Sequence, residues 1–215
     1  MHRPSGCKER IRMNTREQDG ISGLRHYLEG KRVVVIGNSE SQFSQHLGAR
    51  IDAYDAVVRM NLGAIRAPEH QGSRTDVVFT SSEKLSAAMI DDWFKPSWVV
   101  WATPKREKMP DLSALGERLV LHPVEIWEAL HARIEPARPS TGLIALNFLF
   151  QHCKCAELAF AGFDFFASGT FYNRKFFGLI KHPRKASKPH DGAEEQRVVA
   201  DMIASGRVRN LAQAD

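Results

Sequence analysis

The apolar positions fall into short runs separated by polar stretches. Residues 31–39 open on a basic pair, carry Val33, Val34, Val35 and Ile36 in succession, and close on Gly37-Asn38-Ser39. Four consecutive β-branched residues between charge and glycine predict a strand buried on both faces, as in a parallel sheet. Similar runs at 56–60, 76–79, 98–102, 118–122 and 157–161 predict five more strands. Helices are expected at 21–28, 41–49, 123–133, 193–204 and from Pro139 to about Cys153, and a last helical piece at 208–212. Residues 171–188 read as a basic, aromatic loop, and 1–20 as a flexible basic tail. Strands alternating with helices predict an α/β fold. Its form is a single Rossmann-like domain over 21–215, with a mainly parallel central sheet flanked by helices. Ligands of such sheets bind beyond the carboxyl ends of the strands, so the residues just after each strand are the ones to inspect.

Composition narrows the class. In 215 residues, 43% apolar and 26% charged positions exclude a wholly disordered, collagen-like or multi-span membrane protein. The net charge of +5 is unevenly placed: residues 1–33 hold eight basic and four acidic residues, and 174–188 hold six basic residues and no acid. Such faces suit phosphate, sugar acids or anionic lipid. The apolar runs at 98–102 and 142–150 fall far short of the ~20 residues a membrane helix needs. The N-terminus lacks the apolar stretch of a secretory signal. A cytoplasmic protein is therefore expected, with peripheral contact to the inner membrane surface left open. Three cysteines, Cys7, Cys153 and Cys155, are too few for a disulfide scaffold or a zinc site. They read as reduced thiols.

Four constellations could carry chemistry. Gly37-Asn38-Ser39 follows the first strand and combines a sharp turn with uncharged donors ahead of a helix N-terminus. It is not a G-x-G-x-x-G loop, and on its own it is equally an ordinary turn with a serine cap. Arg59-Met60-Asn61 ends the second strand and brings a second asparagine to the same sheet edge. The later stretch Gly72-Ser73-Arg74-Thr75-Asp76 reads best as a structural turn with a salt-bridged arginine. Pro139-Ser140-Thr141-Gly142 opens an apolar helix whose free N–H groups could receive an anion, though capping alone would explain it. His190-Asp191-Gly192-Ala193-Glu194-Glu195 has the pattern of a capped helix start, so His190 precedes the positive end of a helix. There a neutral imidazole could act as general base, or His190 could be a plain surface residue. No D-x-D occurs, so the usual carboxylate pair for a metal-bound nucleotide sugar is missing.

Taken in order, these pieces resemble the sialyltransferases, glycosyltransferase family 29. Residues 33–76 look like the family's large motif, 139–166 like its small motif, and His190 with Glu195 fits its very short motif, H-x-x-x-x-E. The resemblance implies a sialyltransferase-type variant of the GT-A fold. It implies metal-independent, inverting transfer of sialic acid from its CMP donor to a glycan acceptor hydroxyl, the acceptor being lipid-linked in the natural guess for a bacterial surface glycan such as lipopolysaccharide. CMP-Kdo is an alternative donor. Carried over by motif, Gly37, Asn38, Ser39 and Asn61 would bind CMP, with Asn38 and Asn61 at the ribose and phosphate, and Ser140, Thr141 and Gly142 would hold the cytidine end. His190 would be the catalytic base, with Glu195 and Asp191 as structural support. Lys175 would stand where the family's third motif has a histidine near the donor phosphate. No metal, other cofactor or nucleic acid is implied. In animal members a cysteine of the large motif pairs with one of the small motif. Cys155 fits the latter, but Val33 holds the former position, which suggests a bacterial-type member. Two rivals remain at this level: another nucleotide-dependent α/β enzyme, such as a methyltransferase or dehydrogenase, and a non-catalytic binder of anionic ligands. Asn61 stands where the first of these would need an acid, and the second would not need His190.

Overall fold

The structure is a computed structural model that describes residues 15–167, 170 and 190–213. Helix α1 (Thr15–Leu28) leads into strand β1 (Arg32–Ile36), and a 3₁₀ turn (Glu40–Ser44) and α2 (Gly48–Asp52) connect it to β2 (Ala56–Met60). Then follow α3 (Pro68–Gln71), β3 (Val77–Thr80), α4 (Ala87–Trp93), β4 (Trp98–Trp101) and β5 (Leu119–Leu121). Helices α5 (Val124–Ala132) and α6 (Thr141–His152), strand β6 (Glu157–Ala161), α7 (Gly192–Ala204) and β7 (Val208–Asn210) complete the order.

The seven strands form one sheet in the order β5-β4-β3-β2-β1-β6-β7, and every pairing is parallel. The chain runs outward from β1 to β5, then returns to lay β6 on the other side of β1. The strand order therefore reverses between β1 and β6, and an open sheet offers its ligand crevice at such a switch point.

The apolar runs are explained by burial on both faces. Val33, Val35, Val58, Val77 and Phe79 pack under α1, α5, α6 and α7, while Val34, Ile36, Val57, Val78 and Val99 face smaller clusters built on α2 and α4. Helix α6 is the most enclosed element: nine residues in succession, Thr141 through Leu149, are buried. An amphipathic pattern is absent because the helix is covered all round.

Three expectations need correction. The tail expected at 1–20 gives way to helix at Thr15, held by Glu17 pairing with Arg106 and by Gly20 passing over Val120. Composition alone hides those tertiary contacts. The single helix expected at 41–49 is a 3₁₀ turn followed by α2, because the Ser44 hydroxyl donates to the Ser41 carbonyl (2.7 Å), a local bond that competes with helix continuation. The helix expected at 208–212 is strand β7, with Val208, Arg209 and Asn210 in register with Leu158, Ala159 and Phe160. The loop at 171–188, and with it Lys175, lies outside the described residues.

Candidate active site

The crevice at the carboxyl edge is shaped first by close backbone approach. Gly37 donates to the Ala161 carbonyl at 2.7 Å, and Ser39 to the Gly162 carbonyl at 3.1 Å. A Cβ at Gly37 would stand 2.1 Å from the Gly162 oxygen and 2.8 Å from Phe163 Cδ2. A Cβ at Gly142 would meet Phe163 Cε1 at 2.6 Å. The Phe163 ring thus sits between the end of β1 and the start of α6, and both glycines are required by its presence.

The two asparagines fall on neighbouring strand ends. Asn38 Nδ2 donates to the Met60 carbonyl at 2.9 Å, tying the first turn to the residue before Asn61. Asn61 has a left-handed backbone (φ 51°), which asparagine tolerates better than most residues. Its Oδ1 accepts from Ser81 N at 2.9 Å. Ser81 Oγ in turn shares a 2.7 Å hydrogen bond with Thr141 Oγ1. Ser81 therefore joins the ends of β2 and β3 to helix α6. The sequence carries a weak signal for it, the polar Thr80-Ser81-Ser82 directly after an apolar strand.

Ser140 caps α6 by accepting from Leu143 N at 3.2 Å. The Glu195 carboxylate grips the same residue twice, accepting from Ser140 N and Ser140 Oγ, each at 2.7 Å. Glu195 is 4% exposed, and this burial pushes its carboxyl up to about 7. Asp191 caps α7 through bonds from Ala193 N (2.9 Å) and Glu194 N (3.3 Å). Helix α7 thus begins beside the start of α6.

His190 lies just ahead of that helix. Its Nδ1 is 2.7 Å from the Arg138 carbonyl oxygen, which can only accept, so Nδ1 donates and in the neutral ring Nε2 is the acceptor. The ring stacks on Phe166 with centroids 5.7 Å apart and planes within 3°. Phe165 and Phe166 both have left-handed backbones (φ 51° and 70°), a conformation costing non-glycine residues roughly 1–2 kcal/mol each. That turn brings the Phe166 ring against the imidazole. Sequence patterns show neither Phe166 nor the Arg138 carbonyl as site groups, since both act through backbone geometry.

Every sequence-named site residue within the described part belongs to this edge. The stretch 72–76 is structural: Arg74 Nε lies 3.4 Å from Asp76 Oδ2, and Arg74 also donates to the Tyr54 carbonyl. Cys153 and Cys155 are free thiols near the start of β6, away from this edge, and burial pushes them up to about 12 and about 11. Among the described residues no group of three or more His, Cys, Asp or Glu side chains is arranged to hold a metal ion, and no helix is long and apolar enough to cross a membrane.

Residues 22–115 match the model of glycosyltransferase family 29 (sialyltransferase). The chain is 27% identical over 221 residues to the type 2 lactosamine alpha-2,3-sialyltransferase of Rattus norvegicus, covering 85% of this chain and 65% of that protein. It is 21% identical to the CMP-N-acetylneuraminate-beta-galactosamide-alpha-2,3-sialyltransferase 4 of the same animal, over 86% of this chain and 65% of that one. The chain thus spans 65% of the length of these curated relatives, less than two thirds. A mammalian sialyltransferase structure superposes with a TM-score of 0.56 at 19% identity, covering 94% of this chain and 81% of that one. The sialyltransferase CstII from Campylobacter jejuni, in complex with cytidine-5'-monophosphate, gives 0.55 at 11% identity, with 85% and 80% covered. At those identities the structures speak for the fold alone. The sequence relatives are mammalian, so the expected bacterial-type character finds no support in them. The chain is thus similar to glycosyltransferase family 29 over residues 22–115 and to these sialyltransferases over most of its length.

Proposed function

We propose that the chain is a metal-independent, inverting glycosyltransferase that moves a sialic-acid-type sugar from its CMP donor to a glycan acceptor hydroxyl. One observation carries the reading. His190 bonds to the Arg138 carbonyl and Glu195 to Ser140, two residues further along the chain, so an imidazole is held beside a capped helix N-terminus. A base and a capped helix start then lie together at the sheet's switch point. The names of the relatives give CMP-N-acetylneuraminate as donor and a lactosamine or beta-galactosamide as acceptor, which supports the same donor and acceptor class here.

In this reading the nucleotide lies across the turn 37–39, Asn61 and the start of α6. The turn and Asn61 take the ribose and phosphate, and Ser140, Thr141 and Gly142 hold the cytidine end. The acceptor oxygen attacks the anomeric carbon on the face opposite CMP. The bond from that carbon to the phosphate oxygen breaks, CMP leaves as a phosphate monoester, and the acceptor proton passes to His190 Nε2. The positive charge that develops on the sugar ring is transient, and no second carboxylate is needed to hold a metal. The basic excess in 1–33 supports an acceptor presented at an anionic membrane surface, reached from the cytoplasmic side.

Calorimetry with CMP in EDTA tests the donor site. The expected result is binding at millimolar CMP or below, unchanged by added Mn²⁺ or Mg²⁺. Binding only after a divalent ion is added would overturn the metal-free reading, and no binding at all would overturn the donor assignment. Comparing CMP release from CMP-sialic acid and from CMP-Kdo then decides the sugar, with sialic acid the expected substrate.

A further inference from the structure

Three polar side chains are buried on the sheet face opposite α6: Arg59 (1% exposed), Gln71 (1%) and Gln42 (5%). Such groups are costly unless every polar atom is bonded. Arg59 projects from β2 and donates to neutral oxygens: Nε to Thr75 Oγ1 (3.0 Å) and Nη2 to the Gln71 carbonyl (2.6 Å) and the Arg74 carbonyl (3.1 Å). It therefore fixes the backbone of Gln71. The Gln71 side chain then starts a relay. Its Oε1 accepts from Arg66 N (2.7 Å) and Ala67 N (3.0 Å), and its Nε2 donates to Gln42 Oε1 at 3.0 Å. Gln42 Nε2 donates to the Ser39 carbonyl at 2.9 Å.

The direction of this relay is forced. The two backbone N–H groups can only donate, so Gln71 must turn its oxygen to them and its amide nitrogen to Gln42. Gln42 then presents its oxygen, which leaves its nitrogen for the Ser39 carbonyl, a group that can only accept. Both ends agree, and neither amide can flip without two acceptors meeting. The relay ends on the last residue of the turn that receives the nucleotide in the function proposed above.

We propose that Gln42 and Gln71 are positioning residues for the phosphate end of the donor, holding the Gly37-Asn38-Ser39 turn in its binding shape from behind. The inference rests on the proposed function. It extends it to two side chains that line the back of the turn and touch no substrate. Gln71→Glu is the informative change, because a carboxylate still accepts from Arg66 and Ala67 but cannot donate to Gln42. Gln42 must then face a second acceptor or flip and set its oxygen against Ser39. Either way the Ser39 carbonyl is disturbed from a distance.

The test is calorimetry of CMP and of cytidine with the wild-type chain, Gln42→Met, Gln71→Glu and the double variant, with thermal melting of each. Loss of one such hydrogen bond typically weakens binding about five- to tenfold. That loss is expected for CMP in each single variant. Cytidine, which lacks the phosphate and whose base end is held at the start of α6, should lose markedly less. In the Gln42→Met background, Gln71→Glu should add nothing. Wild-type affinity for CMP in Gln42→Met, or equal loss of CMP and cytidine, would overturn the inference while leaving the functional reading intact. A wild-type chain that takes up neither nucleotide would overturn that reading, and the inference with it.

Discussion

At the scale of single residues, the buried titratable groups make opposite demands on pH. Glu195 has a carboxyl raised from 4.5 to about 7 by burial, so the folded state holds its proton more tightly than the unfolded chain does. Its contribution is therefore most favourable below about pH 4.5 and is lost as pH rises through 7, by on the order of 3 kcal/mol. Glu195→Gln keeps the shape and removes the charge. Urea unfolding at pH 5 and pH 7.5 should show a fall in stability for the wild type that is largely absent in the variant; parallel pH dependences would contradict the buried-carboxyl account. His122 works the other way. It is 3% exposed and its Nδ1 bonds to the Pro123 carbonyl at 2.9 Å, while Nε2 is buried without a partner. Burial lowers it from 6.5 to about 4, so stability is lost as pH falls through that interval, when only the unfolded chain takes up the proton. His122→Phe should remove that acid-side loss, measured as the urea midpoint at pH 4 against pH 7. An unchanged acid dependence would sink it. Phe166 belongs to the same scale: Phe166→Leu should lower kcat by about tenfold or more while leaving CMP affinity alone, as expected of a ring that only orients a base. Full activity in that variant would show the stacking to be incidental.

Elements explain what could be read in advance. Strands β2 and β6 are legible to the residue because each is a mainly apolar run buried on both faces, interrupted only by Arg59 in β2 and by Glu157 at the start of β6. Helix α6 is legible from its Pro-Ser-Thr-Gly opening, where Ser140 caps the helix as its type suggests. Strand β7 is illegible because three residues, only Val208 fully buried, become a strand through pairing with β6 and through no pattern of their own. The site shows the same division. Asn38, Asn61, Ser140 and His190 are visible as polar residues at strand ends and helix starts. Ser81 shows only as a polar residue after an apolar strand, and Phe163, Phe166 and the glutamine relay do not show at all, because their parts depend on which loops the sheet order brings together. Gly37→Ala tests this closeness. Its Cβ would fall 2.1 Å from backbone oxygen, which cannot yield as a side chain tip would. A loss of about 1–3 kcal/mol in stability is expected by urea unfolding, together with weakened CMP binding. A wild-type unfolding midpoint would mean that β1 and β6 are not so tightly joined at this edge.

For the whole molecule, seven parallel strands direct every loop that follows them to one edge, and the return of the chain to β6 opens that edge at its centre. That edge brings a histidine, a helix start and two asparagines together. The central claim is that this edge transfers a sugar with His190 as base, and the most direct measurement is transfer from CMP-sialic acid to N-acetyllactosamine in EDTA, by the wild type and by His190→Ala. The account predicts metal-free product from the wild type. In the variant, kcat should fall by about 10²–10⁴-fold while calorimetric CMP affinity holds. Transfer by His190→Ala at the wild-type rate would contradict it.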